Sequence, residues 1–260
     1  MKLNLVIPAA GLGSRFRAIG NATPKPLIDI SGLPMIAWVV GNFELYPEDE
    51  IWVISQKQDD LPVRLDEPFS KLENKVHFIE IEGLTDGAAT TLQIVLGQLP
   101  LHEPVICANS DQYVSANLKE FVDSVRSGLA DGQILTMEAE GNKWSYVERN
   151  PSGEIIRVVE KIEVSNEATV GIYGWKSAAA ASESIANMKS EEFKVNGEYY
   201  VAPSYTYIAN SGGKISTTNI GNIENDVHGL GTPEDLAIFL KNSNFDEFRS
   251  RVVSRLRLRE

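Results

Sequence analysis

Cysteine is nearly absent: of 260 residues one is a thiol, Cys107, in the apolar run "PVICANSD". No intramolecular disulfide can form, so the sequence fits a reducing compartment, expected to be the cytoplasm, with Cys107 buried and inert. Histidine is scarce, and His77, His102 and His228 lack metal-ligand spacing. No Ser/His/Asp or Cys/His site can be placed. No apolar run reaches membrane-spanning length, and the apolar part of "MKLNLVIPAAG" is too short for a signal segment, so it reads as a strand. Positive charge is in deficit, with 24 Lys and Arg against 36 Asp and Glu and a formal net charge of −12. That excludes a chain built to grip a nucleic-acid backbone, but not a cleft whose local field attracts a small anion. Linkers, repeats and low-complexity segments are absent as well.

What is present is an alternation. Leu3–Ile7, Ile51–Ser55, Val76–Ile81 and Pro104–Asn109 are short apolar runs. Between them lie helical stretches, Pro34–Phe43 with Pro34 suited to a first turn and "GAATTLQIVLGQL". This pattern predicts a parallel sheet covered by helices. Later runs, "GQILTMEAE", "WSYVERNPSGEIIRVVEKIE" and "EATVGIYGW", read as strands, with a hairpin turn at "NPSG". The expected fold is one α/β domain of three layers, α/β/α, around a mixed, mainly parallel sheet. It occupies residues 1–240, with a helical tail over 241–260 belonging to the same domain.

The stretch "PAAGLGSRFRAIGNATPKPLIDISGLPMI" follows the first strand. A dinucleotide fingerprint needs a third glycine where Phe16 stands, and an acid at the end of the second strand, which closes on Ser55 and Gln56. A Gly-Lys-Ser/Thr phosphate loop is missing too. Two readings remain: a glycine turn with surface arginines, or a loop whose Gly11 and Gly13 let an anion or base approach the backbone. In the second reading Arg15 forks onto phosphate oxygens, and Lys25 is held between stiffening prolines in "TPKPL".

"AAGLGSRF…TPKPLIDISGLPMI" resembles the signature of the sugar-phosphate nucleotidylyltransferases, or NDP-sugar pyrophosphorylases, which share a GT-A-like, Rossmann-like fold. "TDGAATTL", "ANSDQYV", "VVEK", "ATVGIYGW" and "GTPEDL" follow in the family's order, and "EYYVAPSYTYI" looks most like members serving capsule or surface-polysaccharide synthesis. The resemblance implies transfer of a nucleoside monophosphate from an NTP to a sugar 1-phosphate or similar phosphorylated acceptor, releasing pyrophosphate, with Mg²⁺ or Mn²⁺. It implies catalytic roles for Arg15, on the β/γ-phosphates, and Lys25, on the α-phosphate. Ala10, Gly11, Leu12, Gly13, Glu82, Thr85 and Gly87 would hold the nucleotide, with Glu82 near the base edge. Ser145, Glu160, Lys161 and Gly171 would hold the sugar phosphate. Adjacent strand residues face opposite ways, so Glu160 and Lys161 can share a cleft only at a strand end or bulge. Trp144 either covers the sugar or packs in a loop.

The implied metal ligands are Asp111, at the C-terminal edge of the sheet, and Asp226. Asp111 can also be read as a helix N-cap. The family's usual second carboxylate position is Gly229 here, so Asp226 could replace it only if the loop is rearranged; one carboxylate with phosphates and waters is the alternative. A non-catalytic nucleotide-sugar-binding homologue would be expected to lose Arg15 or Lys25. A glycosyltransferase of the same general fold would show Asp-x-Asp where "NSDQ" has Asn109. In the tail, Val252, Val253 and Leu256 share one helical face and Arg251, Arg255 and Arg259 a neighbouring one, which predicts docking on the domain or on another subunit. Homo-oligomerisation is left open.

Overall fold

The computed structural model describes residues 1–222 and 226–258. Arg259 of the tail lies outside them. The strands are β1 (Asn4–Pro8), β2 (Asp29–Ile30), β3 (Leu33–Pro34), β4 (Glu50–Gln56), β5 (Lys75–Ile81), β6 (Val105–Ala108), β7 (Gln112–Val114), β8 (Gly132–Glu138), β9 (Ser145–Arg149), β10 (Ile155–Glu160), β11 (Glu167–Trp175), β12 (Ile215–Asn222) and β13 (Val227–Gly229). The first half pairs in parallel, β5-β4-β1-β6. β11 then joins β6 antiparallel, β8 pairs antiparallel with β11, and β12 pairs parallel with β8. The β9–β10 hairpin closes through Asn150–Gly153.

Strand alternation builds the three layers. On β1 and β4, Leu5, Ile7, Ile51 and Val53 enter one core, while Val6, Trp52 and Ile54 enter another on the opposite face. The first core is covered by the helices Met35–Val40, Lys119–Ser127 and Phe245–Arg255, and the second by Ala88–Leu96, Ala178–Ser190 and Ser204–Asn210. Pro34 does not open the first of these helices; it ends β3 with an extended backbone and serves as its N-cap. Cys107 is fully enclosed, and burial pushes its thiol up to about 12. No helix among the described residues is long and apolar enough to cross a membrane.

The tail helix docks on the domain. Phe248, Val252, Val253 and Leu256 are buried in the first core, and each such side chain contributes about 1.5–3 kcal/mol. Arg251 donates to the Ser115 carbonyl at 2.5 Å, and Arg255 to the Gly41 and Asn42 carbonyls at 2.7 and 2.8 Å. His228 stacks among Tyr113, Phe239 and Phe248, where burial lowers its pKa and keeps it neutral.

The feature that positions the site is a split in the sheet. One edge of β11 pairs with β9 at Ala168 and with β6 from Ile172 onward. Gly171 stands at that switch with φ +85°, and its carbonyl accepts from Asn109 N at 2.9 Å. The opening between β6 and β9 faces the C-terminal end of β6, the edge where parallel α/β sheets collect ligands.

Candidate active site

Two cavities meet along this edge. The first, of ≈ 380 Å³, lies over the C-terminal end of β1 and is lined by Ala10, Gly11, Leu12, Gly13, Lys25, Leu84, Thr85, Gly87 and Glu198, among others. Gly13 sits at φ +60°, and a Cβ there would lie 3.0 Å from the Lys25 Cβ. Its missing side chain therefore lets the "PKP" turn pack against the loop. Gly11 faces open space. Lys25 opens a 3₁₀ turn, Lys25–Leu27, anchored by buried Pro26. Gly87, at φ +130°, is packed against the Tyr199 backbone, with Tyr199 N donating to Asp86 O at 2.7 Å and Ala89 N to Tyr199 O at 3.0 Å. Thr85 Oγ1 donates to Gly87 O at 3.0 Å and fixes the same turn.

Glu82 does not join this cavity. It ends the edge strand β5 region facing solvent, 84% exposed, and pairs with Lys57 at 3.2 Å. The residues of that loop that line the cavity are Leu84 and Thr85.

The second cavity, of ≈ 340 Å³, fills the split. Arg15, Asn109, Gln112, Lys143, Trp144, Ser145, Glu160, Lys161, Gly171 and Tyr200 line it, among others. Glu160 is the last residue of β10, and Lys161 follows at φ +60°, so the chain turns and both residues reach one cavity, as the strand-end condition required. Glu160 is buried and accepts from the Ser145 hydroxyl; burial raises its pKa. Lys161 Nζ donates to the Tyr200 hydroxyl at 2.6 Å, and that hydrogen bond holds its pKa above the ordinary value. Thr169 Oγ1 and Tyr173 Oη, 2.9 Å apart, complete a polar floor. The missing side chain of Gly171 makes room for Asn109 and Gln112: a Cβ there would overlap both side chains. Trp144 both lines the cavity and packs on the core edge. Arg15 lies exposed on the wall of this second cavity, and not among the residues that line the first, which holds Gly11 and Gly13.

At the junction Lys25 forms an ion pair with Asp111, their side chains 18% and 27% exposed. Asp111 caps no helix; it precedes β7, and its carbonyl accepts from Leu230 N at 2.8 Å. Asp226 is not brought to it. Val227 pairs with Val114, and Asp226 O accepts from Ser115 N at 2.9 Å, so Asp226 stands at the far end of β7. Four strand residues separate the two positions, roughly 13 Å. The assignment of Asp226 as a partner ligand is corrected by this register. The loop residue that abuts the Asp111 carboxylate is Gly231, where a Cβ would overlap it, while Gly229 faces Asp235. Among the described residues no group of three or more His, Cys, Asp or Glu could hold a metal.

Sequence reasoning missed Gln56, Glu198 and Tyr200 as site residues. "EYYVAPSYTYI" was visible, but only folding shows that Tyr199 anchors it while Glu198 lines one cavity and Tyr200 the other.

The class these features define is an α/β protein with a glycine-containing loop after its first strand and two adjoining cavities at the C-terminal edge of its sheet. The chain belongs to the nucleotidyl transferase family, which it matches over residues 4–203. It is 24% identical over 240 residues to the UTP–glucose-1-phosphate uridylyltransferase AglF of Haloferax volcanii, covering 90% of this chain and 93% of that one. It is 28% identical over 179 residues to mannose-1-phosphate guanylyltransferase 1 of Arabidopsis thaliana, covering 66% of this chain and 49% of that longer one. The crystal structure of a nucleoside-diphosphate-sugar pyrophosphorylase from Vibrio cholerae RC9 superposes with a TM-score of 0.78 at 22% identity, covering 92% of this chain and all of that one, and shows the shared fold.

Proposed function

We propose that the chain is a sugar-phosphate nucleotidylyltransferase that joins an NTP and a sugar 1-phosphate into an NDP-sugar and pyrophosphate. The observation that carries this reading is the meeting of the two cavities, with Lys25 on the nucleotide side and Arg15 and Lys161 on the acceptor side. The two relatives above differ in base and in sugar, yet both are named for sugar 1-phosphates.

Two anions repel, so catalysis here is charge neutralisation and alignment. A sugar-phosphate oxygen attacks the NTP α-phosphorus in line, and pyrophosphate leaves. Lys25 stabilises charge at the α-phosphate, Lys161 holds the incoming phosphate, and Glu160 accepts from sugar hydroxyls. The donor chemistry of Asp111, one hard carboxylate oxygen beside the phosphates, fits Mg²⁺ or Mn²⁺, which would supply further charge neutralisation there. The reading places the enzyme in the cytoplasm. Use of its product in surface-polysaccharide synthesis rests on the "EYYVAPSYTYI" resemblance.

A second reading, a non-catalytic binder of nucleotide-sugars, is favoured by one observation: Gly229 stands where the family usually has its second carboxylate, and the residue that abuts Asp111 is another glycine, Gly231. Phosphorus NMR of the purified protein with Mg²⁺, each NTP and a panel of sugar 1-phosphates separates the two. New diphosphate doublets with free pyrophosphate support the enzyme; unchanged spectra with bound nucleotide-sugar support the binder.

A further inference from the structure

Gln56 ends β4 and is only 4% exposed. Both N–H bonds of its amide are spent between two loops that border the first cavity: Nε2 donates to Ala10 O at 2.9 Å and to Gly83 O at 2.8 Å. Ala10 belongs to the loop after β1, and Gly83 to the loop after β5. Backbone pairing cannot set the distance between these loops. The β1–β4 ladder stops at Pro8 and Ile54, apart from Ala9 N to Ile54 O at 2.7 Å, and the β4–β5 ladder stops at Gln56 and Ile81. Beyond those points the one buried tie between the loops, among the described residues, is this amide.

Each tied loop carries an exposed leucine on the cavity wall, Leu12 at 43% and Leu84 at 59%. Large apolar side chains left in water at a cavity are suited to flat apolar faces, and the heterocyclic base is the part of an NTP that has them. We infer that Gln56 is a positioning residue: by tying Ala10 to Gly83 it sets the width of a base slot between Leu12 and Leu84. The inference rests on the nucleotidylyltransferase reading. Gln56 touches no substrate and acts through the two carbonyls it holds.

Gln56→Glu keeps the shape but turns the tie into a repulsion, because an ionised carboxylate faces two carbonyl oxygens. A protonated carboxyl restores one donor. The variant's KM for NTP should rise about tenfold at mildly alkaline pH, the scale of one or two net hydrogen bonds. It should fall back toward wild type as pH is lowered, while KM for the sugar 1-phosphate moves less than about twofold. Gln56→Met, which fills similar volume without donors, should raise the NTP KM at every pH; it also serves if the glutamate variant does not fold. Dissociation constants for the NTP, measured by calorimetry on the same full-length proteins, should change in parallel. An NTP KM and dissociation constant within twofold of wild type in the folded variant would overturn the positioning role. Wild-type protein that binds NTP but releases no pyrophosphate would overturn the enzymatic reading instead, and the calorimetric comparison would still decide the role of Gln56.

Discussion

Lys25 and Asp111, 86 residues apart in sequence, form an ion pair where the two cavities at the C-terminal edge of the sheet meet. Each neutralises the other, so the lysine is not free for phosphate nor the carboxylate for a divalent cation until ligands compete for them. Lys25→Ala should therefore do two opposed things. It should lower kcat by roughly 10²–10³, the scale of one preorganised charge contact, and it should tighten Mn²⁺ binding to the nucleotide-free protein. Turnover assays and paramagnetic titration check the pair. Near-wild-type turnover would remove Lys25 from the catalytic machinery.

Asp111→Asn preserves shape and removes one charge. On the proposed role it should lower turnover and raise the Mg²⁺ concentration needed for half-maximal rate. An unchanged metal requirement at unchanged rate would end the ligand assignment.

Asp226 stands at the opposite end of β7 from Asp111. Asp226→Ala should shift the metal concentration for half-maximal rate by less than about tenfold, or 1.4 kcal/mol. A larger shift in a variant that remains folded by circular dichroism would mean that the loop rearranges on binding.

Burial holds the Glu160 carboxyl above its ordinary range, despite the Ser145 hydroxyl and Lys161 favouring the ionised form. The folded state thus binds the proton more tightly than the unfolded chain. Stability from this group falls as pH rises from the ordinary carboxylate range through the raised value, and the full penalty persists above it. Glu160→Gln should raise Tm at neutral pH, with the gain shrinking toward zero in acid, and should weaken sugar 1-phosphate binding. Melting curves across pH check the sign; a Tm difference independent of pH would contradict it.

The fold was legible because period and length carried it. Val6 against Leu5 and Ile7 already showed a strand buried on both faces, and "NPSG" already showed a hairpin. The close packing of Gly13 on the "PKP" turn and the Glu160–Lys161 strand end were legible for similar local reasons. Glu82 was not, since its solvent exposure follows from β5 lying at the sheet edge, which sequence order does not reveal. Asp226 was lost to strand register: pairing Val227 with Val114 decides which loop residue reaches Asp111, and that residue is Gly231. Gln56 carries no motif at all; its role exists only because the loops after β1 and β5 converge on it.

Pyrophosphate release by the purified full-length protein, measured with each NTP and each of a panel of sugar 1-phosphates in the presence of Mg²⁺, tests the central claim most directly. The account predicts release that requires both substrates, singles out one or a few pairs, and falls about a hundredfold or more in Lys25→Ala. Release from NTP without any acceptor, or none with any pair while nucleotide-sugars still bind, would contradict it.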